Sequence, residues 1–324
     1  MGEFDLIARH FKRPVRRTAL GVGDDCALLA PRPGMQLAVS SDMLVEGHHF
    51  FADVDPQALG HKALAVNLSD LAACGAEPLA FTLALALPNA DDAWLAAFAR
   101  GLFALADAHG CELVGGDTTR GPLNICITVF GELPTGQALL RSGARAGDDL
   151  YVSGTLGDAR LALEALQGRV ALPPPLLAAA RQRLERPTPR VALGQQLRGV
   201  ASSAIDLSDG LLGDVGHVLH ASGVGARIQM ENAIECIATN SYGISAGSLF
   251  DQDFLLHCVL SGGDDYELAF TAPAAARAAV AAAALQAGTA VRRIGQIEAA
   301  PGLRVVDAAG RELALAFSSF DHFA

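Results

Sequence analysis

An α/β architecture in two halves is what this sequence predicts, and three observations carry the prediction. Strand-type and helix-type patterns alternate along the first half. The second half repeats that mixture after a glycine-rich stretch, RSGARAGDD at 141–149. Strand runs also fall next to one another too often for a simple parallel sheet, so mixed sheets covered by helices are expected. With 324 residues and 51% hydrophobic content, the chain can fill two cores.

Taken in order, QLAVSS (36–41) and LAFTLALAL (79–87) read as strands, while 56–75 and 91–110 carry helical spacing and end on glycines. In the second of these helices Leu95, Phe98, Leu102 and Leu105 share one face, an ordinary core stripe. CELVGG (111–116) and NICITVFGEL (124–133) follow as strands, and the domain boundary is placed near residue 140, giving domains 1–140 and 141–324. Beyond it come the strand DLYVSG, a proline-broken helical region over about 157–198, and the strand SSAID, which leads into a helix over LSDGLLGDVGHVLHAS. The strand DYELAF, an alanine-rich helix and short closing strands complete the chain. A polar stretch near 230–252 gives only weak signals.

The formal charge of −11 argues against non-specific binding to nucleic acid or an anionic membrane. Six cysteines without a CxxC pair imply neither zinc nor disulfides. The N-terminus has no signal-peptide pattern, and the longest apolar run is too short to span a bilayer, so a cytoplasmic location is expected.

Acidic residues following small ones form the recurring signature: GVGDDC (Asp24, Asp25), SSDML (Ser40, Ser41, Asp42), NLSDL (Asp70), GGDTTRG (Gly116, Asp117), AIDLSDG (Asp206, Ser208, Asp209) and GGDDYEL (Asp264, Asp265). Any one of these, alone, is more often a turn or a helix cap than a ligand. Asp70 weakens that bland account. It lies inside a helix, sharing a face with Asn67 and flanked by Leu68 and Leu71. Asp117 directly follows an apolar strand, at the place where α/β sheets hold ligands. Converging oxygen donors favour a hard cation such as Mg²⁺, whose usual companion is a phosphate. No GxxxxGK[ST] occurs, and the only lysines, Lys12 and Lys62, stand outside the glycine-rich motifs. Metals, backbone amides and an arginine such as Arg120 or Arg141 would therefore have to neutralise a nucleotide. Asp148 and Asp149 read as turn residues, and Asp214 as solvated. His48 and His49 read as strand neighbours on opposite faces, so at most one faces a site.

Together these motifs, with GEFDLIARHF at the start, RSGARAGD in the middle and FDHF at the end, resemble the thiamine-monophosphate kinase family. That family belongs to the superfamily of aminoimidazole ribonucleotide synthetase and selenophosphate synthetase. The resemblance covers nearly the whole chain. It implies the two-domain aminoimidazole ribonucleotide synthetase-like fold, and ATP-dependent phosphorylation of thiamine monophosphate to thiamine diphosphate with several Mg²⁺ ions. A homodimer is also implied, in which the N-terminal sheet joins that of its mate. Metal binding would fall to Asp25, Ser40, Ser41, Asp42, Asp70, Asp117, Asp206 and Asp209, with Asp42, Asp70, Asp117 and Asp209 at the catalytic centre. Nucleotide contacts would come from Gly116, Asp117, Arg141 and Ser208, and substrate contacts from His49, Asp264 and Phe320. Two positions depart from the family's habit: Asp264 where glutamate is common, and Phe320 where tyrosine or tryptophan is. Two alternatives are another ATP-dependent enzyme of the same superfamily, as in aminoimidazole ribonucleotide synthesis, and a non-catalytic nucleotide-binding regulator. Selenophosphate synthesis is disfavoured, because no reactive cysteine precedes the acidic motifs.

Overall fold

The computed structural model describes residues 3–23, 25–237 and 249–314. Asp24, Phe320 and part of the weakly patterned 230–252 stretch lie outside them. The chain forms two compact units, residues 1–71 with 76–136 and residues 72–75 with 137–324.

In the first unit, α1 (Glu3–His10) precedes β1 (Met35–Val45), α2 (Pro56–Ala73), β2 (Glu77–Leu87), α3 (Asp92–Ala108), β3 (Glu112–Arg120) and β4 (Asn124–Pro134). The sheet order is β1-β4-β2-β3, with β2 and β3 parallel and the other pairings antiparallel. Most of α2 is apolar all round, as a buried helix must be, with Leu64, Leu68 and Leu71 at most 1% exposed. It crosses α3 at a pair of glycines: a Cβ on Gly60 would lie 2.0 Å from the Phe98 carbonyl oxygen, and one on Gly101 1.8 Å from that of Gln57. The expected core stripe of α3 is buried, and Asp91 caps the helix by accepting from the Ala93 and Trp94 N–H groups.

The second unit runs β5 (Asp149–Ser153), α4 (Asp158–Leu166), α5 (Pro174–Glu185), α6 (Val191–Gln196), β6 (Ser203–Leu207), α7 (Leu211–Ser222), β7 (Gly225–Gln229) and α8 (Met230–Ile234). It continues with α9 (Gln252–Ser261), β8 (Glu267–Ala272), α10 (Arg277–Ala287), β9 (Val291–Glu298) and β10 (Gly302–Val306). Its sheet order is β10-β7-β9-β5-β8-β6, in which only β10 and β7 pair in parallel. One face packs Leu150, Val152, Ile205, Ala226, Ile228 and Ala269 against α7, α8 and α9. Both sheets are mixed and helix-covered, as the adjacent strand signals anticipate.

Several local expectations change. The sequence signals miss α9, although its Asp251 cap accepts from the Phe254 N–H and its Leu255, Leu256, Cys258 and Val259 are buried. Strand β1 runs on past residue 41, so Asp42 lies inside a strand and not at its end. Asp117 likewise sits within β3, because backbone pairing with β2 continues to Arg120. Asp149 is no turn residue: it is fully buried at the start of β5, bonded to Arg277 (2.6 and 3.0 Å) and Arg293 (3.1 Å). Asp148 does serve a turn, accepting from the Arg145 N–H at 3.0 Å. His48 and His49 lie in a turn after β1, not in a strand, because Gly47 at φ +80° ends the strand and its N–H returns to the Phe50 carbonyl.

Candidate active site

The acidic residues fall into separate groups, each built by its local elements. Residues of β1 alternate: Ser40, Asp42 and Leu44 face the helix-covered side, whereas Ser41 and Met43 face the open side of the sheet. Helix α2 brings its polar edge to the covered side. There Ser40 Oγ donates a short hydrogen bond to Asp70 Oδ2, and Asn67 Oδ1 accepts the Asp42 N–H at 3.1 Å. Asn67 is itself buried and donates to the Ala63 carbonyl at 3.0 Å, which fixes which end of its amide faces the strand. The face shared by Asn67 and Asp70 therefore abuts Ser40 and Asp42. Ser41 points away from this group, bonding Thr128 Oγ1 (2.9 Å) and the Ile127 carbonyl (3.2 Å).

Asp117 is not brought beside Asp42 and Asp70. Asp42 shares a rung of the sheet with Ile127, Leu83 and Gly116, so it sits on one edge strand and the GGD motif on the other. At the usual spacing between neighbouring strands, their Cα positions are roughly 14 Å apart. Asp117, one residue along, is exposed. It instead lines a cleft of about 740 Å³ with Asp25, Gly23, Gly115, Gly116 and Lys12. Gly116 is required there: at φ +140° a Cβ would lie 1.9 Å from the Leu83 carbonyl oxygen. Lys12, set aside on sequence grounds as outside the glycine-rich motifs, is in space beside two of them. No sequence signal links it to Gly23.

In the second unit Asp206 lies on β6 and is 6% exposed, with Ser208 and Asp209 in the loop that enters α7. This loop packs on the GGDDY loop. The Asp264 N–H donates to the Ser208 carbonyl (2.9 Å), the Tyr266 N–H to that of Leu207 (2.8 Å), and a Cβ on Gly263 would lie 2.5 Å from the Ser208 oxygen. Ser208, Asp209 and Asp264 are thus brought together. Asp264 and Tyr266 hold left-handed backbone angles, φ +67° and +49°, at a cost of about 1–2 kcal/mol each. Asp214, expected to be solvated, is 3% exposed and accepts the Asp209 and Gly210 N–H groups at 3.1 Å each, fixing the loop. Burial first, then repulsion from Asp209, pushes its carboxyl up to about 7. Its place in the first turn of a helix, where carboxylates cap N–H groups, is the signal that could have revealed it.

Beneath Asp264, Asp265 is buried and accepts the Gly157 N–H at 2.9–3.0 Å, and Glu267 binds Ser153 (2.5 Å), Arg183 (2.7 Å) and Arg190 (2.5 and 2.6 Å). The Arg141 side chain is exposed in a loop, its carbonyl accepting from Ser222 Oγ at 3.3 Å. His49 Nδ1 accepts the Val45 N–H at 3.0 Å, which ties the ring to the end of β1.

Among the described residues no three His, Cys, Asp or Glu side chains gather closely enough to cage an ion alone. Magnesium rarely needs such a cage, taking one or two carboxylates and completing its shell with water and phosphate oxygens. The Ser40–Asp70 hydrogen bond beside Asp42 offers an oxygen-only set of that kind, so the residues fit the metal when a phosphate shares it.

Two sheet domains with these acidic motifs define an AIR synthase related protein. Models of the N-terminal and C-terminal domains of that family match residues 23–133 and 145–308. Thiamine-monophosphate kinase of Salmonella typhimurium is 47% identical over 329 residues, covering 100% of this chain and 98% of the relative. The crystal structure of thiamine-monophosphate kinase from Stenotrophomonas maltophilia superposes with a TM-score of 0.81 at 45% identity, covering 93% of this chain and 94% of that one. AaThiL complexed with AMPPCP and TMP gives a TM-score of 0.73 at 29% identity over 99% of this chain and 96% of its own. The chain belongs to the thiamine-monophosphate kinase family.

Proposed function

We propose that this protein transfers the γ-phosphoryl group of ATP to thiamine monophosphate, releasing thiamine diphosphate and ADP. Full-length similarity to thiamine-monophosphate kinases carries the proposal, with every acidic motif present. An oxygen of the acceptor phosphate bonds to the γ-phosphorus while the bond from that phosphorus to the βγ-bridging oxygen breaks in line, and ADP leaves with the electron pair. The acceptor oxygen is already anionic, so no general base is assigned, and catalysis reduces to positioning and charge neutralisation.

In this reading Asp42, Asp70, Ser40 and Ser41 on β1 and α2, Asp25 and Asp117 at the cleft, and Asp206 and Asp209 on and after β6 hold magnesium ions. Bound magnesium would neutralise the two phosphate anions that otherwise repel as they approach. Gly116 admits close approach of the nucleotide to backbone, Ser208 and Arg141 contact its phosphates, and His49, Asp264 and Phe320 bind thiamine monophosphate. The open face of the first sheet, with Val39 and Met43 more than half exposed, supports a homodimer in which this face is covered by a second copy. No helix among the described residues is long and apolar enough to cross a membrane, consistent with action in the cytoplasm.

The test is product analysis. Purified protein incubated with ATP, Mg²⁺ and thiamine monophosphate should yield thiamine diphosphate and ADP in equal amounts. Phosphate release without thiamine diphosphate would instead favour another superfamily reaction.

A further inference from the structure

We propose that Lys12 is a nucleotide-binding residue, its ammonium contacting the phosphate chain of ATP at the mouth of the cleft in the first unit. The proposal rests on the kinase reading above and adds to it a cation that no sequence motif supplies. Lys12 follows α1, where Phe11 is 4% exposed and anchors the chain. The Lys12 N–H donates to the Ile7 carbonyl at 2.9 Å, so the base of the side chain is fixed while its tip is exposed. That tip lies over the glycine of GVGDD: a Cβ on Gly23, which has φ +130°, would come 3.4 Å from Lys12 Nζ.

The cleft beneath holds Asp25, Asp117 and the backbone of Gly115 and Gly116. Such a set suits a polyphosphate whose metal is shared with the carboxylates, and a lysine adds the compact point charge that phosphate binders often use. Two nearby arginines are committed elsewhere. Arg17 pairs with Glu77 and Glu132, and Arg13 with Asp107. Lys62, the only other lysine, is 3% exposed and donates to the His49 carbonyl. Among the described residues no carboxylate forms an ion pair with Lys12.

The experiment measures AMPPCP binding with Mg²⁺ by calorimetry, alongside steady-state kinetics, for wild type, Lys12→Ala and Lys12→Arg. Lys12→Ala should raise the Kd for AMPPCP and the KM for ATP about tenfold, leaving kcat and the KM for thiamine monophosphate within about twofold. Lys12→Arg should restore most of the loss, and the salt dependence of AMPPCP binding should weaken in Lys12→Ala. Because Lys12 is exposed, the melting temperature should not change. A Kd for Lys12→Ala within twofold of wild type, or no AMPPCP binding by wild type, overturns the proposal. Wild type that binds AMPPCP but makes no thiamine diphosphate overturns the kinase reading while the Lys12 contact stands or falls on the Kd alone.

Discussion

The Ser40–Asp42–Asp70 group and the Ser208–Asp209–Asp264 group gather similar side chains by different construction. The first stands on a strand and a buried helix, its carboxylates set by the alternation of β1 and by Asn67 and Ser40 bridging the two elements. The second stands on two loops that hold each other through backbone hydrogen bonds, glycine contacts and left-handed residues. Regular elements place a side chain at little local cost, whereas loops need strain and an added anchor, here Asp214, to keep one conformation. Substitutions should accordingly act on the first group through charge and on the second through geometry.

The largest expected effect is in the first group. Asp70→Asn or Asp42→Asn should lower kcat by about 10²–10³-fold while the melting temperature stays close to wild type, since the strand and helix do not depend on the charge. Near-normal turnover in both variants would remove the metal reading. In the second group the order reverses. Gly263→Ala, which forces a Cβ toward the Ser208 oxygen, should cost about 1–3 kcal/mol of stability and about tenfold in activity together. If activity fell with no loss of stability, the loops would not be geometrically coupled.

A third test concerns the far end of the second unit's sheet, where Asp149 of β5 pairs with Ala272 of β8. Hydrogen bonding from Arg277, and then Arg293, holds the buried Asp149 carboxyl below the usual carboxylate range against the opposing effect of burial. A depressed carboxylate contributes stability above its unfolded pKa, and that stability is lost as pH falls through the folded one. Asp149→Asn should therefore destabilise the protein by about 2 kcal/mol near neutral pH, partner exposure limiting the loss. The difference should shrink below about pH 4. A difference in melting temperature that does not vary with pH would show that packing, not charge, is at stake. The smallest effect is expected for Asp264→Glu. Aspartate tolerates the left-handed backbone at φ +67° better than glutamate, so restoring the family's usual residue should cost about 0.5–1 kcal/mol. The KM for thiamine monophosphate should change less than about threefold, and a tenfold fall would mean that reach, not backbone, limits this site.

Much of this site was legible because its motifs are local. A carboxylate flanked by leucines inside a helical pattern cannot be a cap, so Asp70 stood out, and Asn67 three residues earlier marked the polar edge that β1 meets. Asp42 and Asp117 were recognisable as candidates but were expected at strand ends, since side-chain pattern does not say where backbone pairing stops. Asp214 was misread because a lone Asp on a helix looks the same solvated or buried until the loop it caps is in place. Lys12 lies eleven residues from Gly23 with no shared pattern, and only folding sets them side by side.

By itself the sequence determined the α/β class, the helix and strand identities of most elements, and the family. These follow from periodicity and from short motifs whose residues act on neighbours in the chain. Tertiary structure alone decided that Asp42 and Asp117 occupy opposite edges of one sheet, that Asp149 and Asp214 are buried, and that a lysine overhangs the acidic cleft. Those outcomes depend on strand register and on contacts between distant segments, and local composition holds no record of either.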